Sequence, residues 1–208
     1  MDALKKSCLF VICLLIAFVG AAQTVKVENG IAFSALAGNL YGKTIPSYQF
    51  SIGMDYCERR WFDFSSNIGF SGRGGCEEVP FTAADGSLTS MESVTLRLRY
   101  LTLNTLFRFK YTEGRWTVYA GAGPGLGVKL DERFICSDSE LSPIAQGNGV
   151  DLIYGMDCVC GGYYGLGKFR LGLNFCYHWA FNKVYESIAN VGVRGHTFSL
   201  SLMLGYAF

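Results

Sequence analysis

The sequence predicts an all-β chain: an eight-stranded antiparallel up-and-down transmembrane β-barrel. Three observations carry that expectation. Apolar and polar residues alternate with period two through eight segments. The connections between segments alternate between short and long, as they do when turns gather at one rim and loops at the other. Aromatic residues bracket several segments at a spacing of about 9–11 residues, the length of a tilted strand crossing hydrocarbon.

Residues 1–22 read as a secretory signal peptide and residues 23–208 as the barrel domain. Lys5 and Lys6 precede an apolar run from Cys8 to Val19, and Gly20-Ala21-Ala22 supplies small residues for cleavage before Gln23. The run is shorter than the roughly 20 residues of a spanning helix. An uncleaved anchor is the alternative. A lipoprotein would need a cysteine after the run, whereas Cys8 and Cys13 lie within it. No later segment is long and continuously apolar, so a membrane-embedded mature chain has to close its backbone hydrogen bonds as a barrel.

The first strand runs through Ile31, Phe33, Ala35 and Ala37. The second sets Tyr48, Phe50, Ile52, Met54 and Tyr56 against Gln49, Ser51, Gly53 and Asp55. In the third, Phe62, Phe64, Ile68 and Phe70 oppose Asp63, Ser65, Asn67 and Gly69. The fourth, about 93–111, changes phase, with Val94, Leu96 and Leu98 even and Leu101, Leu103, Phe107 and Phe109 odd. A β-bulge near Tyr100 is expected to restore the face. The fifth sets Trp116, Val118, Ala120 and Ala122 against Thr117, Tyr119, Gly121 and Gly123. The sixth, about 151–164, sends Tyr154, Met156, Cys158 and Cys160 one way and Asp157 the other. The seventh opposes Phe169, Leu171, Leu173, Phe175, Tyr177 and Trp179 to Arg170, Asn174, Cys176 and His178. The eighth has Phe198, Leu200, Leu202, Leu204, Tyr206 and Phe208 on one face.

Short connections fall at Cys57–Trp61, Thr112–Arg115 and Gly165–Lys168, and long ones at about 38–47, 72–92, 131–150 and 182–196. Tyr56, Trp61, Phe62, Tyr111, Trp116, Tyr164, Phe169, Tyr206 and Phe208 lie beside the short turns or the C-terminus, where they form one girdle.

Composition agrees. Half the chain is hydrophobic, 15% is aromatic and 17% is charged, against about 25% charged in a typical soluble domain. This excludes a disordered chain and a coiled coil. With 18 Lys and Arg against 17 Asp and Glu, no basic field exists to attract nucleic acid. Removal of residues 1–22 takes away Asp2, Lys5 and Lys6, and with them the net charge of +1.

Alternation alone does not give its own sign, and a soluble barrel of lipocalin type would point the apolar face inward. Three features favour lipid outside. The polar face is rich in glycine, the aromatics sit at strand ends, and the apolar face carries more large side chains than an eight-stranded interior can hold.

Several stretches resemble the Bacteroidetes outer-membrane β-barrel domain family, called PorT-like. They are the Ala22-Gln23 junction, the segment from Tyr100 through Leu101-Thr102-Leu103-Asn104-Thr105-Leu106-Phe107-Arg108-Phe109 to Lys110, and Tyr119-Ala120-Gly121-Ala122-Gly123-Pro124. Gly167-Lys168-Phe169-Arg170-Leu171-Gly172-Leu173 leading to Tyr177 is another. The terminal Phe208 is similar to the signal such barrels present to the barrel-assembly machinery. The proline usual in the fourth-strand segment is absent, and Asn104-Thr105 stands near that position. The resemblance implies an outer-membrane barrel. The role in secretion and surface maturation of the member that names the family does not transfer with it.

Two glycine patterns invite a nucleotide reading. Gly38-Asn39-Leu40-Tyr41-Gly42-Lys43-Thr44 has three residues between its glycines where a phosphate loop has four, and no helix pattern follows. Gly121, Gly123, Gly125 and Gly127 alternate at period two, so they line one face of a strand and leave room for bulky lumen neighbours. No cofactor is expected.

The lumen face collects Asp55, Asp63, Asn67, Asn104, Arg108, Lys110, Asp157, Arg170, Asn174 and His178. They make either an ion path or catalytic pocket, or a satisfied polar plug, because buried charges must pair. An eight-stranded barrel is just wide enough for its side chains to fill, which favours the plug. His178 and His196 with Ser199 or Ser201 could mimic a lipid-modifying enzyme, but no spacing supports it. Cys76 and Cys136 are read as lying in adjacent long loops and form a candidate disulfide. Cys158 and Cys160 are expected to face lipid, and no metal-ligand spacing occurs. Glu77, Glu78, Asp85, Asp131, Glu132, Asp138 and Glu140 mark the long loops 72–92 and 131–150 as candidates for contact with an extracellular or secretion-system partner.

The sequence therefore predicts a non-enzymatic outer-membrane protein, structural, surface-binding or assembly-assisting, with outer-membrane lipid as its first partner. A small transport or conductance barrel is the alternative.

Overall fold

The computed structural model describes residues 22–37, 43–82, 88–136, 148–186 and 192–208. The proposed signal peptide lies outside them except for Ala22, as do most of the Gly38–Thr44 loop, Asp85, Asp138 and Glu140. Eight long strands follow in order: β1 (Ala22–Ala37), β2 (Ile45–Tyr56), β3 (Phe62–Thr82) and β4 (Leu88–Glu113), then β5 (Trp116–Cys136), β6 (Leu152–Leu166), β7 (Phe169–Glu186) and β8 (Gly192–Ala207). Each pairs antiparallel with the next, and β8 returns to β1 with Tyr206 opposite Val25 and Leu200 opposite Ile31. The ladder thus has no free edge, as a wall solvated by hydrocarbon requires. A two-residue strand, Asn148–Gly149, pairs with the far end of β7 at Tyr185 and Glu186.

The sign of the alternation is apolar outward. Leu202 and Tyr48 are each 62% exposed, whereas Lys26, Asp55, Asp63 and Arg108 are 1–2% exposed. A lipocalin-type barrel would invert that distribution, so the soluble alternative fails. Ile31, Ile52, Ile68, Leu103, Leu126 and Leu171 continue the outward belt.

At the short-turn rim, Gly114 (φ 61°) and Gly167 (φ 65°) occupy the left-handed region that closes two tight turns. The exposed rings of Trp61, Tyr111, Trp116, Phe169 and Phe208 gather beside these turns. Trp116 meets Tyr164 edge-on at 5.0 Å, and Phe169 meets Tyr206 at 5.3 Å.

Three expectations need correction. First, segment 72–92 is mostly strand: β3 and β4 pair from Phe62 opposite Phe109 out to Thr82 opposite Leu88. Second, β4 keeps one phase, with Leu96, Leu98, Tyr100, Leu106 and Arg108 all buried inside. What changes is the interior, which turns from polar to apolar toward the long-connection rim. The register shift does occur at Arg99/Tyr100, but their partners Asp131 and Lys129 flank an extra residue, Leu130, so the bulge belongs to β5. Third, Cys76 on β3 lies opposite Thr95, and Cys136 on β5 lies opposite Val94, with β4 between them. Two strand spacings separate them by about 10 Å, beyond the ~7 Å reach of a disulfide.

An arginine at the middle of the outward belt should be costly. Leu202→Arg is expected to destabilise the barrel in lipid vesicles by about 2–4 kcal/mol, read from the urea midpoint. An unchanged midpoint would mean that this face does not contact lipid.

Candidate functional site

The candidate site is the lumen. Period-two alternation turns Thr24, Lys26 and Glu28 of β1 inward, together with Asp55 of β2, Asp63 and Asn67 of β3, and Arg108 of β4. Tyr119 of β5, Asp157 of β6, and Asn174 and His178 of β7 complete the ring.

At the short-turn mouth the organising residue is Glu58. The preceding residue, Cys57, takes a left-handed conformation (φ 52°), the one described non-glycine to do so, and this turns Glu58 back across the opening. Glu58 accepts hydrogen bonds from Arg170 Nη1 (2.9 Å) and Nη2 (3.1 Å), Lys110 Nζ (3.1 Å) and Thr24 Oγ1 (2.7 Å). Burial alone pushes the Glu58 carboxyl up. The hydrogen bonds from Arg170 and Thr24, with the charges of Arg170 and Lys110, outweigh it and hold the group below its ordinary value of 4.5.

The next layer is the most deeply buried. Arg108 places Nη2 2.8 Å from Asp55 Oδ2 and donates from Nε to Asp63 Oδ1 at 2.7 Å. Its guanidinium lies 4.6 Å from the centre of the Tyr119 ring. Lys26 Nζ sits 2.8 Å from Glu28 Oε1 and 3.5 Å from Asp55 Oδ1. Asn174 donates to Glu28 Oε2 (2.9 Å) and accepts from the Tyr119 hydroxyl (3.1 Å).

Above it, Asn67 donates to Asn104 (2.9 Å), Asn104 donates to Asp157 Oδ2 (2.8 Å), and Asp157 Oδ1 meets His178 Nδ1. Glycines make room for this chain. A Cβ on Gly53 would stand 1.9 Å from Asn67 Oδ1, and one on Gly125 2.8 Å from Asp157 Oδ2. Arg73 is buried with its guanidinium 5.5 Å from the Tyr100 ring, and its Nε and Nη1 have no hydrogen-bond partner among the described residues. A cavity of about 40 Å³ lies beside Arg73, Asp157, His178 and Ser199, room for about one water molecule.

The lumen then closes with apolar side chains. Leu96, Leu98, Ile153, Val184 and Ala180 are buried across its far end. Residues 148–151 fold against them: Gly149 N–H donates to the Glu132 carboxylate, Val150 N–H to Val184 O, and the Tyr100 hydroxyl to Val150 O.

All ten predicted lumen residues face the interior, and the network joins them in two groups. Asp55, Asp63, Arg108, Lys110, Arg170 and Asn174 belong to the lower group, and Asn67, Asn104, Asp157 and His178 to the upper. Sequence reasoning missed Lys26 and Glu28, although Val25 and Val27 already show the alternation that places them. It missed Arg73 because Gly72, Gly74 and Gly75 mask the strand pattern beyond Phe70. Glu58 gives no sequence signal, since its reach depends on the backbone at Cys57.

The two histidines lie on opposite faces of the wall. His178 points inward, while His196 stacks on Tyr177 with its Nδ1 2.8 Å from that hydroxyl. Among the described residues no His–Ser pair meets at a rim. Among the described residues no group of three or more His, Cys, Asp or Glu is placed to hold a metal ion. Cys158 and Cys160 are exposed on the outward face.

No protein-family model matches the chain, and no curated protein does. Solved structures do. The chain is similar to Neisserial surface protein A at 14% identity, covering 88% of this chain and 97% of that one with a TM-score of 0.53. It is similar also to the outer membrane protein OprG of Pseudomonas aeruginosa at 11% identity, with 90% and 97% coverage and a TM-score of 0.50. At these identities the likeness is one of fold.

Two outcomes test the network. Arg108→Leu leaves Asp55 and Asp63 with only lysine partners, and about 3–5 kcal/mol of stability in urea should be lost; a loss under about 1 kcal/mol would mean the pairs are not buried. Because Glu58 titrates below its ordinary value when folded, its contribution is complete above pH 4.5 and fades as pH falls below that. Stability measured from pH 7 to 3 should therefore drop less in Glu58→Gln than in the parent. Parallel curves would contradict the clamp.

Proposed function

We propose that the chain is a non-enzymatic outer-membrane barrel whose role is carried by its outer surfaces and rims, structural, surface-binding or assembly-assisting, and not by passage through its lumen. The observation that carries this reading is the filled interior. Lys26, Arg73, Arg108, Lys110 and Arg170 are matched in number by Glu28, Asp55, Glu58, Asp63 and Asp157, and an apolar cap closes the far end. Water-filled conduction needs an open path, and every strand contributes a side chain across it.

The outer-membrane location is supported by the outward apolar belt, the aromatic girdle, and similarity to solved barrels whose own names call them a surface protein and an outer membrane protein. Relationship to the Bacteroidetes barrel family belongs to the same proposal. So does recognition of Phe208 by the barrel-assembly machinery: the residue is 70% exposed at the chain end, with its amide held by Gln23 O. The long-connection rim is the surface offered to an extracellular or secretion-system partner.

Planar-bilayer recording tests the closed lumen. The purified protein should show no steady conductance across a range of voltages, and Arg108→Ala with Glu58→Ala should introduce openings. Steady channels in the parent protein would move the assignment to transport.

A further inference from the structure

Just above the apolar belt, toward the long-connection rim, the outer wall carries an unusual charge arrangement. Arg97 of β4 stands directly opposite Arg133 of β5, and Arg99 directly opposite Asp131. All three arginines are exposed. Side chains directly opposite on an antiparallel pair lie about 4.5–5.5 Å apart at Cβ, where like charges oppose folding. One carboxylate serves the cluster: Asp131 Oδ2 accepts from Arg133 Nε at 3.0 Å and lies 3.6 Å from Arg99 Nη2. Arg97 has no carboxylate partner among the described residues. Among the described side chains, three guanidinium groups against one carboxylate leave two positive charges uncompensated. The β5 bulge at Leu130 creates this arrangement, because it reverses the strand's phase and turns Arg133 outward beside Arg97.

The cluster borders a groove. On the β3 side the partners of Arg99 and Arg97 are Gly72 and Gly74, which put no side chain beside them. The resulting space, about 590 Å³, runs down the wall from the arginines to Tyr48, Phe70 and Leu130. These three are exposed and belong to the outward apolar belt. One end of the groove is therefore cationic and the other is apolar, at the height where a bilayer passes from headgroup to hydrocarbon.

We propose that this groove binds a membrane lipid bearing a phosphate monoester head, with the phosphate between Arg97, Arg99 and Arg133 and the acyl chain along Tyr48, Phe70 and Leu130. A phosphate monoester carries close to two negative charges near neutral pH and accepts paired guanidinium hydrogen bonds. It thus matches the charge that Asp131 leaves over. A zwitterionic head offers no such balance, and a free phosphate ion does not fill the apolar half. The inference rests on the membrane reading above.

Native mass spectrometry of the detergent-folded barrel tests it, with phosphatidic acid, phosphatidylglycerol and phosphatidylcholine as probes and inorganic phosphate as competitor. The parent protein should bind phosphatidic acid at least about tenfold more tightly than phosphatidylcholine. Arg97→Gln with Arg133→Gln should abolish that preference. The same variant relieves the like-charge pair, so its urea midpoint in neutral detergent should not fall; Arg99→Gln alone is the milder second variant and should reduce the preference. Equal binding of the lipids by the parent protein overturns the proposal, as does an undiminished preference in both variants. Complete displacement of the lipid by equimolar inorganic phosphate overturns the lipid as the ligand. A chain that stays soluble without detergent and shows no mobility shift on boiling overturns the membrane reading and this one together.

Discussion

Arg108 lies between Asp55 and Asp63 in the middle of a tube whose outside is apolar, and the rest of the lumen is arranged around that burial. No charge at this depth reaches water or lipid for compensation, so each needs its counter-charge within hydrogen-bond distance. The ammonium groups of Lys26 and Lys110 face the second oxygens of the two aspartates, Tyr119 lies beneath the guanidinium, and Asn174 carries the network on to Glu28. The glycines on neighbouring strands follow from the same constraint, since an eight-stranded wall encloses too little space for both a charged network and a full set of side chains. Closure of β8 onto β1 satisfies the backbone, and the network pairs the charges around Arg108.

That division explains what was legible in the sequence. Phase was legible on every strand but β4, because the wall separates two very different surroundings and each position faces one of them. The sign of the phase followed from the size of the outward residues, and Tyr48, Phe50 and Ile52 are too bulky to share one narrow lumen. Strand length was not legible. Past Phe70 the β3–β4 arm leaves the hydrocarbon level, where alternation is no longer enforced and glycines are tolerated. The bulge was read at the right height and on the wrong strand. Leu96 and Leu98 look like a phase change, yet they are interior residues of an apolar cap. Glu58 was invisible because its position is set by one backbone torsion at Cys57. The bridge between Cys76 and Cys136 failed because both residues, read as loop positions, lie on strands that stay paired to either side of β4.

A sealed lumen moves functional interest to the surfaces. Strand alternation leaves little freedom inside, where most charged side chains are paired with a neighbour, whereas the outer wall above the belt is free to collect charge. The same bulge that shifts the β4–β5 register also reorients Arg133, so a local packing irregularity and a candidate lipid contact have one origin.

The central claim, a lipid-facing wall around a paired interior, can be read from the native cysteines. In nanodiscs both rims are open to solvent. A charged, water-soluble maleimide should label Cys57 in its turn and leave Cys158 and Cys160 on the outward belt and Cys176 in the lumen unlabelled; unfolding in detergent should expose all four. Labelling of Cys158 and Cys160 in nanodiscs as fast as that of Cys57 would contradict the account.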